Sequence, residues 1–143
     1  VAMLSFSTKG SARTPSTEKV AGAVTLARHI AEQAGADMSI DGEMQADAAL
    51  DPVFAQMKMP ESHVAGKANV LIFPDLNSGN MAVKFVQLFS DCQTYGQILM
   101  GFTRPAVDIP RGVSSENMAA MAAIVGLQAV EYRKLYPPPD TLD

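Results

Sequence analysis

The sequence has little that would support disulfide, transition-metal or nucleic-acid chemistry. Its 143 residues include one cysteine, Cys92, and two histidines, His29 and His63, which lie far apart without the spacing of metal ligands. A single cysteine excludes an internal disulfide framework and favours a reducing compartment, so we expect a cytoplasmic protein in which Cys92 is a partly buried thiol without a chemical role. Lysine and arginine total 11 against 15 acidic residues, which argues against a nucleic-acid surface.

Long hydrophobic runs and a targeting segment are also lacking. The longest apolar stretch, residues 118–127, is interrupted by Gly126 and is shorter than the roughly 20 residues that span a bilayer. The first ten residues show no charged region followed by a cleavage site, so no signal peptide is expected. Because the chain opens at Val1 in a strand-like run, a segment upstream of it is expected.

What the chain does contain is an alternation of short apolar runs with helical patterns, at 48% hydrophobic residues. The predicted strands are 1–7, a strand ending at Asp41–Gly42, 68–74 and 94–102. The predicted helices begin after the Thr14–Pro15 cap and close at Gly35, cover 44–57 with a break at Pro52, cover 81–89, and run over 113–137 with Ser114 as N-cap. This order predicts an α/β fold, a parallel-type sheet with helices on both faces, followed by a polar tail.

Ligands of such folds bind beyond the carboxyl ends of the strands, where three polar loops are expected: 7–12, 75–80 and 108–115. Loop 7–12, "STKGSA", offers the hydroxyls of Ser7 and Thr8 and the ammonium of Lys9, which suit a phosphate or carboxylate cradle or an ordinary polar turn. In loop 75–80, Asp75 suits either a cation site or a helix cap.

Two charged features remain open on the residues alone. Asp41, Glu43 and Asp47 form a carboxylate cluster that suits Mg²⁺ or acid–base chemistry, or a solvated helix entry. Arg111 stands between Pro110 and Gly112 just ahead of the last helix, where its charge and the helix dipole suit an anion; an ion pair with Asp108 is the alternative.

Five stretches of the sequence carry a family resemblance that bears on these alternatives. They are "VAMLSFSTKGSA", "DGEMQADAAL", "ANVLIFPDLNSGN", "GQILMGFTRPAVDIPRG" and "ENMAAMAAIVGLQA". Together they resemble the C-terminal part of the phosphate acetyl/butyryltransferase family, which includes the phosphate acetyltransferases. The resemblance implies an isocitrate-dehydrogenase-like protein of two α/β domains, incomplete here. Residues 1–99 would form most of the second domain, and residues 100–143 would return to complete the first.

The resemblance implies a reversible acyl transfer, in which acetyl-CoA and phosphate give acetyl phosphate and CoA. The CoA thiolate attacks the acetyl carbonyl directly, so no cofactor or metal is needed and coenzyme A is a substrate. Family members are commonly dimers; no membrane or nucleic-acid partner is implied. The fragment alone is expected to be inactive.

The same resemblance implies the site residues. Arg111 would hold the phosphate with Pro110 and Gly112 beside it, while Ser7, Thr8 and Lys9 would bind substrate. Two departures stand out: Pro110 replaces the family's serine, and Asn117 occupies the place of its usual acid. Since an amide is no base near neutral pH, Glu116 becomes the substitute, although one helical step turns it by about 100°. The alternative is a non-catalytic, acetyl-CoA-sensing regulatory domain of a malic enzyme.

Overall fold

The computed structural model describes residues 1–135, so the tail predicted at 136–143 and the last two residues of the final predicted helix lie outside the described part. The chain forms two compact units, Val1–Val86 and Gln87–Asp143. The assignment of residues 1–99 and 100–143 to two family domains stays a prediction.

A three-stranded parallel sheet organises the first unit. Strand β1 (Ala2–Leu4) lies between β2 (Asp41–Met44) and β3 (Leu71–Ile72) and runs parallel to both. This arrangement confirms the parallel sheet, but the strands are shorter than the apolar runs that predicted them. The prediction for β2 was wrong in position, because the strand begins at Asp41, where it was expected to end.

Three helices follow the predicted signals in this unit: α1 (Pro15–Gln33), α2 (Ala46–Leu50) and α3 (Pro52–Lys58). Thr14 caps α1, because its Oγ1 accepts the Thr17 N–H at 3.3 Å while Thr17 Oγ1 accepts the Thr14 N–H at 3.0 Å. Gly35, at φ +61°, follows the end of α1. The cap, the proline start and the break at Pro52 are therefore confirmed.

The sheet is packed on both of its faces. Helix α1 buries Val20 and Val24 on one side. The other side faces α2 and α3, and its buried cluster comprises Ala2, Leu4, Met44, Ala48, Ala49, Ala55, Met59, Val64 and Ala65. Helices on both faces were predicted, and the small alanines let α2 and α3 lie close to the strands.

Gly42 sits where β2 passes β1 too closely for a side chain. A Cβ at this position would lie 2.6 Å from the Met3 carbonyl oxygen and 3.1 Å from Val24 Cγ2. Its φ of +153° is also one that residues with side chains rarely adopt. Only glycine therefore fits, and this close approach brings the flanking Asp41 and Glu43 into the interior.

Helix α4 (Leu76–Phe89) corrects the prediction of a loop over 75–80. Asp75 caps it by accepting the Ser78 N–H at 2.8 Å. That backbone contact, with the Ser78 hydroxyl next, lowers the pKa of Asp75. The cap satisfies a backbone N–H group in the first turn of α4, so the asparagine, serine and glycine of that turn are tolerated in the helix. The cap reading of Asp75 is confirmed.

The second unit contains a small antiparallel hairpin and a long helix. Strand β4 (Ile98–Leu99) pairs with β5 (Ala106–Val107), and Gln97 and Asp108 extend the ladder by exchanging backbone hydrogen bonds. Strand β5 was not predicted. Helix α5 (Ser115–Leu135) is capped by Ser114, whose Oγ accepts the Asn117 N–H at 3.2 Å, as predicted.

Candidate functional site

The turn at residues 7–12 is held to β2 by one carboxylate. Ser7 is fully buried, and its hydroxyl donates to Glu43 Oε1 at 2.8 Å. The same oxygen accepts the Gly10 N–H at 2.9 Å, while the Ala12 N–H bonds to Ser7 Oγ at 3.0 Å. Ser7 and Glu43 together therefore determine the shape of the turn.

Thr8 and Lys9 complete this turn. Thr8 Oγ1 accepts the Gln45 N–H at 3.0 Å and donates to the Gln45 side-chain oxygen at 3.3 Å. Lys9 adopts φ +47°, followed by Gly10 at φ +78°, which reverses the chain. In this structure the Ser7 and Thr8 hydroxyls bind the chain itself; a substrate-binding role for either stays a prediction.

The Asp41 carboxylate accepts four hydrogen bonds. Its Oδ1 accepts Lys9 Nζ at 2.7 Å and an Arg28 Nη at 2.6 Å, and its Oδ2 accepts the Ser62 hydroxyl at 2.6 Å. Burial alone would raise the pKa of Asp41, but the hydrogen bonds from Lys9, Ser62 and the Gly42 N–H outweigh it, so the pKa lies below its ordinary value.

This environment contradicts the prediction of a solvated helix entry for two of the three carboxylates, while an acid–base role for them stays a prediction. Asp41 and Glu43 are buried on β2 and bonded to the chain, so they are not a solvated helix entry. Only Asp47 lies where the solvated reading put it, in the first turn of α2. Across residues 1–135, no cluster of three or more histidine, cysteine, aspartate or glutamate side chains is placed to hold a metal ion.

Lys58, at the end of α3, forms the neighbouring ion pair. Its Nζ lies 2.6 Å from Asp47 Oδ2 and 3.0 Å from Gln45 Oε1, and 5.4 Å from the centre of the Phe54 ring. The Lys58 hydrogen bond is the main cause of a lowered pKa for Asp47. The contact through Gln45 links Lys58 to the turn that holds Thr8.

A cavity of about 400 Å³ lies beside these ion pairs. Three cations, Lys9, Arg28 and Lys58, line it together with Asp41 and residues 59–62; we refer to it as the cationic cavity. Sequence reasoning selected Lys9 but missed Arg28 and Lys58. Nothing local marks them, because Arg28 reaches Asp41 from α1, 13 residues away, and Lys58 reaches Gln45 from 13 residues away.

In the second unit, Arg111 lies on the turn between β5 and α5. The Val113 N–H bonds to the Pro110 carbonyl at 3.2 Å, which closes the turn around Arg111 and Gly112. The Arg111 side chain is exposed, and no side chain within residues 1–135 pairs with it. The alternative ion pair with Asp108 is therefore not formed.

Glu116 and Asn117 both lie in a regular first turn of α5. The Met118 N–H bonds to the Ser114 carbonyl at 2.9 Å, so the helix entry has none of the irregularity that would redirect Glu116. Glu116 is exposed; its own backbone N–H, then the hydroxyls of Ser115 and Ser114, lower its pKa. Their roles in catalysis stay predictions.

Two other expectations concern the surface. Cys92 is exposed, with its sulfur accepting the Ser90 hydroxyl at 2.8 Å, so the prediction of a partly buried thiol was wrong. None of the helices in residues 1–135 combines the length and the apolar character that crossing a membrane requires.

The parallel sheet with helices on both faces defines an α/β protein. The chain belongs to the phosphate acetyl/butaryl transferase family, whose model matches residues 1–126. The family resemblance read from the sequence is thereby confirmed.

Individual relatives agree with this assignment. The chain is 49% identical over 129 residues to a phosphate acetyltransferase of Acetivibrio thermocellus, covering 90% of this chain and 38% of that protein. It is 44% identical over 130 residues to the Bacillus subtilis phosphate acetyltransferase, covering 91% and 39%. The solved EutD phosphotransacetylase from Staphylococcus aureus superposes with a TM-score of 0.81 at 40% identity, covering 92% and 39%.

The chain thus spans about two fifths of the length of these relatives. They are named as phosphate acetyltransferases or a phosphotransacetylase, so the alternative of a malic-enzyme regulatory domain gains no support from them.

Proposed function

We propose that this chain contributes to a phosphate acetyltransferase, which moves an acetyl group reversibly between coenzyme A and phosphate. Membership in the family supports the reaction class. The observation that carries the proposal within the chain is the exposed Arg111 guanidinium, which has no partner among the described residues and stands ahead of α5. Because the chain spans about two fifths of its relatives, the reaction is proposed for the protein that contains it.

Arg111 would hold the phosphate group through two of its N–H groups. A guanidinium stays charged at any physiological pH and matches two phosphate oxygens at once. The amino-terminal end of α5 adds partial positive charge near the same turn. Pro110 fixes the backbone ahead of the arginine, and Gly112 leaves the main chain open to a ligand.

The transfer itself would be a direct displacement. In the direction that forms acetyl-CoA, the CoA sulfur gives up its proton and attacks the acetyl carbonyl carbon. The bond between the acetyl carbonyl carbon and the phosphate oxygen then breaks, and phosphate leaves with the bonding electrons. No covalent enzyme intermediate or cofactor is required. Holding both substrates in position supplies up to roughly 7–11 kcal/mol of the barrier in ideal geometry.

Glu116 is the proposed proton acceptor, since Asn117 has no basic group. Its exposed carboxylate is ionised at neutral pH, as that of an ordinary glutamate is, so it is available to accept a proton. Ser7, Thr8 and Lys9 are proposed to support substrate binding by shaping the turn after β1. A homodimer in the cytoplasm also stays a proposal from the sequence and family.

A chimaeric enzyme tests the proposal without the rest of the native protein. The 129 matched residues of the Acetivibrio thermocellus enzyme are replaced by their counterparts from this chain, and thiol release from acetyl-CoA with phosphate is measured. We expect turnover, and a loss of about 100-fold in kcat on Arg111→Ala.

The matched control is Arg104→Ala, which removes an exposed arginine from the loop between β4 and β5. Its rate should stay within about twofold of the chimaera. A chimaera that unfolds at the parent's temperature yet releases no thiol would overturn the proposal. Equal losses of kcat in Arg111→Ala and Arg104→Ala would show that Arg111 has no specific role in the reaction.

A further inference from the structure

Two cations of the cationic cavity share a single carboxylate. Asp41 supplies one carboxylate, yet Lys9 Nζ and an Arg28 Nη both bond to its Oδ1, at 2.7 and 2.6 Å. Lys58 lines the same cavity and pairs with Asp47, which does not line it. With Glu61 in the lining and Asp47 on Lys58, the three cations are matched by three carboxylates, so an anion would be held by the N–H donors that these contacts leave over.

The three cations also have N–H groups to spare. Lys9 uses two of its three donors, on Asp41 and on the Gly42 carbonyl. Arg28 uses its Nε–H on the Ile40 carbonyl and one Nη–H on Asp41, which leaves three of five. Lys58 uses two of three, on Gln45 and Asp47. Among the residues described, the remaining donors have no acceptor.

The cations are held in place before any ligand arrives. Asp41 is buried, and the hydrogen bonds from Ser62 and the Gly42 N–H fix its carboxylate. It therefore positions the Lys9 and Arg28 head groups, while their side chains remain about half exposed, at 47% and 48%. Fixed donors lose less conformational freedom on binding than free lysine and arginine side chains would.

The size and walls of the cavity indicate more than a bare ion. Its volume of about 400 Å³ falls within the range of small-molecule sites and exceeds what one phosphate group fills. Met59 and Pro60 form an apolar part of the wall beside the charged groups. A ligand with a dianionic phosphate and a compact organic part matches both surfaces.

We propose that the cationic cavity is a binding site for a phosphate monoester, with Lys9, Arg28 and Lys58 holding the phosphate and Met59 and Pro60 contacting the organic part. The site lies wholly within the first unit. It does not require acyl transfer, and it does not involve Arg111.

Binding to the 143-residue chain itself tests the site, so its outcome is independent of turnover. The ¹⁵N-labelled chain is titrated with inorganic phosphate and with phenyl phosphate, against sodium chloride at matched ionic strength. We expect saturable shifts of the backbone amides of Lys9, Gly42 and Ser62 with both phosphates, with phenyl phosphate binding more tightly. Chloride should produce no saturable shift.

Charge-matched variants locate the binding. Lys58→Met and Arg28→Met should each weaken phenyl phosphate binding by about tenfold, since each removes one charge-assisted contact. Lys19→Met and Arg13→Met remove equal charge outside the cavity, where Lys19 bonds to the Pro74 carbonyl and Arg13 pairs with exposed Glu18. These controls should bind as the parent does.

Arg28→Met also disturbs Asp41, so Lys58→Met, which leaves the Asp41 contacts intact, is the decisive variant if Arg28→Met misfolds. Unchanged binding in Lys58→Met would overturn the proposal. So would saturation by chloride, the absence of saturable shifts with both phosphates, or equal weakening in the Lys19 and Arg13 variants. Equal affinity for inorganic phosphate and phenyl phosphate would overturn the assignment of a monoester.

Discussion

Ser7 Oγ donates a hydrogen bond to Glu43 Oε1 at 2.8 Å, and this contact joins the turn after β1 to the middle of β2. Both residues are buried, and Glu43 also accepts the Gly10 N–H at 2.9 Å. The carboxylate therefore acts as the acceptor around which the turn at residues 7–12 is built. The turn's shape depends on β2 as much as on its own sequence.

Replacing Glu43 by alanine should accordingly destabilise the chain. The substitution removes the carboxylate that accepts from the buried Ser7 hydroxyl and from the Gly10 N–H, and we expect the free energy of unfolding to fall by about 2 kcal/mol. Urea denaturation measures the change. The control is Glu18→Ala, which removes an exposed carboxylate 3.7 Å from Arg13 and should change stability by less than about 0.5 kcal/mol. Similar effects of the two substitutions would contradict the role assigned to Glu43.

Gly42→Ala should be more damaging than its single added carbon suggests. The new Cβ would lie 2.6 Å from the Met3 carbonyl oxygen, an atom of the central strand that cannot move aside cheaply. We expect a loss of about 3 kcal/mol in the free energy of unfolding.

A glycine-to-alanine substitution on α1 should instead raise the free energy of unfolding. A Cβ at Gly22 meets nothing within 4 Å, so Gly22→Ala should stabilise the chain by roughly 0.5–1 kcal/mol through helix propensity. Thermal unfolding of both variants separates the two effects. A Gly42→Ala variant that melts with the parent would show that β1 and β2 do not approach as closely as described.

Local signals in the sequence predicted the helix boundaries well and the buried charges poorly. Thr14, Pro15 and Ser114 act on backbone groups within three residues, so their caps can be read from sequence. The partners of Asp41 lie 13, 21 and 32 residues away, at Arg28, Ser62 and Lys9. No pattern within a short window contains these contacts, so the sequence alone leaves the role of the acidic stretch open.

The loop predicted at 75–80 is a second case in which local signals were insufficient. Its asparagine, serine and glycine predicted a turn, but Asp75 satisfies the first turn of α4 and the apolar residues that follow continue the helix. Strand β5 was missed because two residues, Ala106 and Val107, form a strand only through pairing with β4. In both segments the local sequence has only a weak structural preference, and a contact with another residue or strand determines the structure that forms.

The lowered pKa of Asp41 predicts an acid-dependent part of the stability. Because the folded pKa lies below the unfolded one, ionised Asp41 favours the folded chain. This contribution is complete above a pH of about 4 and is lost as the pH falls through the folded pKa. Asp41→Asn should therefore cost about 2 kcal/mol at neutral pH and progressively less in acid.

Urea midpoints of the parent chain and of Asp41→Asn, measured from neutral pH down to strongly acidic pH, give the comparison. Glu18→Gln is the control, since Glu18 pairs only across 3.7 Å at the surface. A difference between parent and Asp41→Asn that stays constant into acid would show that ionisation of Asp41 contributes nothing to folding.

The last prediction concerns which residue of α5 accepts the thiol proton. In the chimaeric enzyme, Glu116→Gln should lower kcat by about 100-fold if Glu116 is the base. The Asn117→Asp substitution places a carboxylate one position on, where family members usually have an acid. Added to Glu116→Gln, it should restore part of the rate, because it returns a carboxylate to the position where family members usually have their acid. An unchanged rate for Glu116→Gln alone would dismiss Glu116. A doubly substituted enzyme that stays slow despite normal unfolding would show that a carboxylate at position 117 cannot take over as the base.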